Sequence, residues 1–203
     1  NSPMTLGLDL YVSSKNKSKI QFCMILHHIR ELPEEVERIV GYMKDPQYVR
    51  VLDDRPLLYA FQCKAEKKFY DALLAAAMAA GLERPYLVNM GKCSKQVNFD
   101  AVSSYTGRGG KRTWDSQKQK HKVVPAVSAG WDRRPRVENP VPWEGKGKGK
   151  PVNGGRIRSA QKAATDIANG VTSALEWNRE NPDAGEANAV IIYAWNEFDE
   201  GGW

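Results

Sequence analysis

Short apolar runs rich in β-branched and aromatic residues alternate along this chain with longer stretches of helical periodicity, and that alternation limits the fold more than any other feature. A first helix is expected over Thr5–Ser13, then a strand at Lys19–Leu26 (KIQFCMIL). The next helix spans Glu34–Met43, with Pro33 in the first-turn position where the missing N–H costs nothing. A strand at Pro56–Phe61 precedes a helix over Ala65–Ala80 that Gly81 can cap. Tyr86–Asn89, Phe99–Ser103 and Val123–Val127 read as three further strands, followed by a Gly/Pro/Lys-rich loop from Gly130 to Gly155. In the last helix Ile157, Ala160, Ala164, Ile167, Val171 and Leu175 form one apolar face. The final strand, Asn188–Ala194 (NAVIIYA), is apolar throughout, as suits a strand covered on both faces.

Strands alternating with helices predict a parallel α/β fold. No Gly-rich phosphate turn follows the first strand, which argues against a doubly wound nucleotide fold. In a (β/α)8 TIM barrel, function sits at the C-terminal ends of the strands. Residues with chemistry to offer do follow the strands here: His27-His28, Gln62, Asn89, Tyr105, Trp131-Asp132 and Trp195 to Glu200. The expectation is therefore one partial barrel over 1–203, lacking two βα units at its start and a helix at its end. The 130–155 loop lies within it.

The net charge of +6 is spread over loop segments at Lys111-Arg112, Lys118 to Lys122, Arg133 to Arg136 and Lys146 to Lys150. Such scatter fits a solvated surface, or a channel for an anionic polysaccharide, better than a nucleic-acid interface. No run approaches the roughly 18 to 20 apolar residues that cross a bilayer. Cys23, Cys63 and Cys93 match no zinc or redox spacing and read as small core hydrophobes, with no metal site. Asp53-Asp54 reads as a turn with Arg55 pairing locally, and Gly107 to Gly110 as a flexible loop. Trp143 is either a lid over a subsite or a loop anchor.

The stretch from Tyr193 to Trp203 (YAWNEFDEGGW) puts Glu197, Asp199 and Glu200 directly after a strand and among tryptophans. Crowded like charges beside apolar rings keep one acid protonated near neutrality. Glycoside cleavage needs that division, with one acid to protonate the leaving oxygen and one carboxylate as base or nucleophile. Tryptophan faces suit the C–H faces of sugars. An acidic turn with core-filling tryptophans accounts for the same residues.

The segment resembles the Asn-Glu-Trp-x-Glu-Gly motif of glycoside hydrolase family 99, the endo-α-mannosidases, and of related domains in polysaccharide-biosynthesis proteins. Tyr42 to Tyr59, Asn98 to Tyr105 (NFDAVSSY) and Pro125 to Arg136 (PAVSAGWDRRPR) are similar to other segments of that family, in the same order. The resemblance implies a retaining, endo-acting hydrolase of α-linked, mannose-like polysaccharide, with no cofactor. It implies that Glu197 is the base on the sugar 2-hydroxyl, leading to an epoxide-like intermediate, and that Glu200 is the general acid and then the base for water. Tyr105, His27 or His28, Trp131, Asp132, Trp195 and Asn196 are implied as substrate-binding. Polysaccharide-degrading relatives are often exported. Phe198 in place of the tryptophan, the added Asp199, and Ile29-Arg30-Glu31 after His28 depart from the family pattern. They bear on sugar preference more than on the chemistry. A glycosyltransferase-associated domain and a non-catalytic carbohydrate-binding domain are the alternatives.

Overall fold

The computed structural model describes residues 6–27, 29–63, 65–91, 93–107, 109–130 and 163–194. It is a mixed α/β fold whose strands pair mostly in parallel, and it divides into two compact units, Asn1–Asp100 and Ala101–Trp203.

The first unit opens with α1 (Leu6–Ser13) and a 3₁₀ turn at Lys17–Lys19. Strand β1 (Met24–Leu26) then leads to α2 (Pro33–Met43), β2 (Arg50–Val51), β3 (Arg55–Ala60), α3 (Lys67–Ala79) and β4 (Tyr86–Asn89). Strand β3 lies between β1 and β4, parallel to both, with Leu26 opposite Ala60 and Ala60 opposite Asn89. The two-residue β2 pairs antiparallel with the start of β3.

Pro33 begins α2, with Glu34 and Glu35 in the first turn where the helix dipole favours carboxylates. Val36, Ile39, Val40 and Met43 are buried at helical spacing. From α3, Phe69, Tyr70, Leu73 and Ala77 supply the facing stripe, and together they enclose one core with Leu26, Leu58 and Leu87. The helix ends with the Gly81 N–H on the Met78 carbonyl and the Leu82 N–H on that of Ala77.

Two expectations in this unit need correction. The strand expected from Lys19 shrinks to three residues, because Lys17–Lys19 turns and Phe22 makes only an isolated bridge to Tyr48. Arg55 does not pair with its neighbouring aspartates. Its guanidinium reaches the Asp100 carboxylate at 2.7 Å and the Arg84 and Pro85 carbonyls, and lies over the Tyr86 ring. Asp100 also accepts from Arg84 and from the Leu87 N–H at 2.9 Å, joining the starting ends of β3 and β4.

The second unit contains β5 (Ala101–Val102), α4 (Gly110–Gln117), β6 (Lys122–Val123), β7 (Ala126–Ser128), α5 (Ala164–Glu180) and β8 (Ile191–Tyr193). Strand β5 pairs in parallel with β6, and β7 with β8. The single strand expected over Val123–Val127 is thus two. Pro125 has no N–H for a ladder, and the chain changes partners there, its carbonyl accepting from Ile191.

Helix α5 also presents a different face from the one expected. Leu175 is 44% exposed and Ala164 is exposed, whereas Ala174, Trp177 and Asn178 are buried. Trp177 meets Trp114 edge to face with ring centroids 6.1 Å apart, and the large indole rotates the helix to bring itself inward. Ile157 and Ala160 lie outside the described residues. Ile192 in β8 is 49% exposed, so that strand is not covered on both faces as its apolar run implied. Lys111 and Arg112, expected in a loop, lie in α4, which the second half of the Gly-rich GRGG segment starts.

Candidate functional site

The parallel strands of the first unit carry a polar and aromatic set at their C-terminal ends. His27 follows β1, Phe61 and Gln62 follow β3, and Asn89 closes β4. The His27 and Phe61 rings stack with centroids 5.5 Å apart and planes inclined by 26°. Gln62 holds a left-handed backbone, φ 47°, and its N–H donates to the Gly91 carbonyl at 3.0 Å. The Asn89 side-chain oxygen accepts from the Gly91 N–H at 2.7 Å, turning the chain as it leaves β4. A non-glycine residue in this conformation is uncommon and tends to occur where function constrains the backbone. His27 is exposed, while Phe61, Gln62 and Asn89 are partly buried.

In the second unit Tyr105, three residues past β5, packs its ring 5.0 Å from that of Tyr193, the last residue of β8. The hydroxyl of buried Ser103 donates to the Val124 carbonyl at 2.8 Å, and the Ala129 N–H donates to the Tyr193 carbonyl at 2.6 Å. Gly107 explains how the loop after Tyr105 stays so close. A Cβ there would stand 2.6 Å from the Val127 carbonyl carbon, and its φ of 62° is one that side chains disfavour. The GRGG segment is therefore an anchored turn at its first glycine, not a free loop.

Of the residues expected at the site, His27 and Tyr105 are described, each at a strand end in its own unit. His28, Trp131, Asp132, Trp195, Asn196, Glu197 and Glu200 lie outside the described residues, as does Trp143. In the sequence Glu197 and Glu200 come four and seven positions after Tyr193. Phe61 is an addition: it directly follows a strand, but its pairing with His27 links segments 34 residues apart and leaves no local pattern.

On the helical side of the first unit, a groove of about 440 Å³ runs beside the start of α2 and α3. Its floor is apolar, with Val36, Phe69, Ala72 and Ala76, and Glu31, Glu37 and Lys68 stand at its rim. Among the described residues, no group of three or more His, Cys, Asp or Glu side chains is arranged to hold a metal ion. Likewise no described helix is long and apolar enough to cross a membrane. No protein-family model matches this chain, and no curated protein matches it.

Proposed function

We propose that the chain folds as a (β/α)8-type barrel resembling glycoside hydrolase family 99, and that it cleaves an α-linked, mannose-like polysaccharide with retention. In this reading Glu197 draws the proton from the sugar 2-hydroxyl, so that this oxygen attacks the anomeric carbon. Glu200 protonates the departing glycosidic oxygen and then takes a proton from water in the second step. The observation that carries the reading is the contact of Tyr105 with Tyr193. It brings the tyrosine that the resemblance singles out as substrate-binding to the end of the strand that runs, in sequence, into the two glutamates. Support also comes from Asn89, which closes a parallel strand, and from His27 and Gln62, which follow two others, where barrel enzymes keep their sites.

The test is turnover of an α-mannan-type oligosaccharide by the chain and by its Glu200→Gln variant. Loss of a general acid lowers kcat by about 10²- to 10⁴-fold. Equal turnover by both proteins would overturn the assignment of Glu200. Tight binding by the parent chain with no turnover at all would replace a hydrolase with a carbohydrate-binding domain.

A further inference from the structure

Cys63 and Cys93 stand far apart in the sequence but side by side in the first unit. Cys63 lies three residues beyond β3 and Cys93 four residues beyond β4, two strands in direct parallel register. Past the strand ends the two segments stay laced together. The Met90 N–H donates to the Ala60 carbonyl at 2.8 Å, and the Gln62 N–H to that of Gly91 at 3.0 Å. The Cys93 sulfur points into the other segment, donating to the Ala60 carbonyl at 3.3 Å, while the Cys63 N–H is directed back at the Cys93 sulfur. Cys63 is fully buried and Cys93 is partly exposed against the same core. The Tyr70 hydroxyl lies against the Cys63 thiol without the geometry of a proper hydrogen bond.

We infer that Cys63 and Cys93 are a modification site, a thiol pair that a peroxide converts to a disulfide linking the loops after β3 and β4. The more accessible Cys93 sulfur attacks one oxygen of hydrogen peroxide, forming a sulfenic acid and releasing water. The Cys63 sulfur then attacks the Cys93 sulfur, the S–OH bond breaks, and the Cys63 proton leaves with the hydroxide as a second water. Two thiols supply the two electrons that the peroxide accepts. Burial raises the Cys93 pKa, opposed by the Cys63 N–H, so the first step is slow near neutrality and quickens as the pH rises. Cys23 is an internal control. It precedes β1, at the opposite edge of the sheet, and burial pushes its thiol up to about 11.

The bridge closes a loop that contains all of α3 and pins Gln62 beside Gly91 at the strand ends. Limiting the unfolded chain in this way raises Tm by on the order of 5–10 °C. The experiment treats the native chain with hydrogen peroxide, alkylates remaining thiols after denaturation, and maps tryptic peptides without reductant. The expected product joins the peptide ending at Lys64 to the one spanning Cys93 to Lys95. It is lighter by two hydrogens, separable by dithiothreitol, and accompanied by alkylated Cys23 and the higher Tm. In the Cys63→Ser variant, Cys93 should stop at a sulfenic acid that dimedone traps. Recovery of Cys63 and Cys93 both alkylated, a bridge that uses Cys23, or Cys93 driven to sulfinic acid in the parent chain would each overturn the inference.

Discussion

The two units reach stability by different routes. In the first, Ile39, Met43, Leu73 and Ala77 are fully buried between two helices and a parallel sheet, forming a broad aliphatic and aromatic core. In the second, the described core is narrower, with Trp114, Val123, Val127, Ala174 and Trp177, and it is tied at its rim by polar contacts. The Trp177 indole N–H donates to Asp115 at 2.9 Å, Lys118 reaches Asn181 at 2.8 Å, and its ammonium sits 6.0 Å from the Trp177 ring centre. Gly170 lets α5 approach β7 so closely that a Cβ would meet a Val127 methyl at 2.8 Å. The contrast shows how one chain can combine a region held by area with a region held by fit, where a few large rings and their partners do what many small contacts do elsewhere.

The largest effect expected from this contrast comes from the first core. Leu73→Ala leaves a cavity between α3 and its neighbours and should cost about 2–5 kcal/mol in denaturant unfolding. Leu175→Ala on the exposed side of α5 should stay within about 0.5 kcal/mol. Similar losses for the two would mean that aliphatic burial does not set the units apart. Next, Trp177→Phe keeps an aromatic ring but strips the bond to Asp115, with an expected cost of about 1–3 kcal/mol. Tryptophan fluorescence and urea midpoints would sharpen the comparison if Asp115→Asn reproduces part of the loss. An Asp115→Asn variant as stable as the parent would instead assign the effect to ring volume.

The smallest effect expected belongs to a polar tie in the first unit. Lys17 contacts the Asp45 carboxylate at 2.6 Å and, helped by the Gln47 N–H, holds its pKa below the ordinary 3.8 despite opposing burial. A depressed folded value contributes stability that is present above the unfolded pKa and fades as pH falls through the folded one. Asp45→Asn should therefore cost at most about 1 kcal/mol at neutral pH, solvent screening included, and less near pH 2. Urea titrations at the two pH values check this, and a cost that persists undiminished in acid would rule out the ionic contribution.

What could be read in advance follows from how far each interaction reaches along the chain. Pro33, the stripe from Val36 to Met43, and the Tyr86–Asn89 strand announce themselves through neighbours within two helical turns, and the fold reproduces them. His27, Gln62 and Asn89 were legible as strand-end residues because apolar runs stop beside them. The break at Pro125 was written in one missing N–H, yet two strands with different partners look like one apolar run. The rotation of α5 depends on Trp114 meeting Trp177, and the true partner of Arg55 lies 45 residues away at Asp100. The Tyr105–Tyr193 and His27–Phe61 contacts have the same long reach, so position after a strand singled out His27 and Tyr105 as candidates but not their company.

Asp100 gathers two guanidinium groups and a main-chain amide where β3 and β4 begin, at the margin opposite the one that carries Gln62 and Asn89. Register is thus clamped from behind. The connections leaving the far margin are free to lengthen, shorten or change composition without unpicking the alignment beneath them. A lineage could rework that margin while leaving the foundation alone.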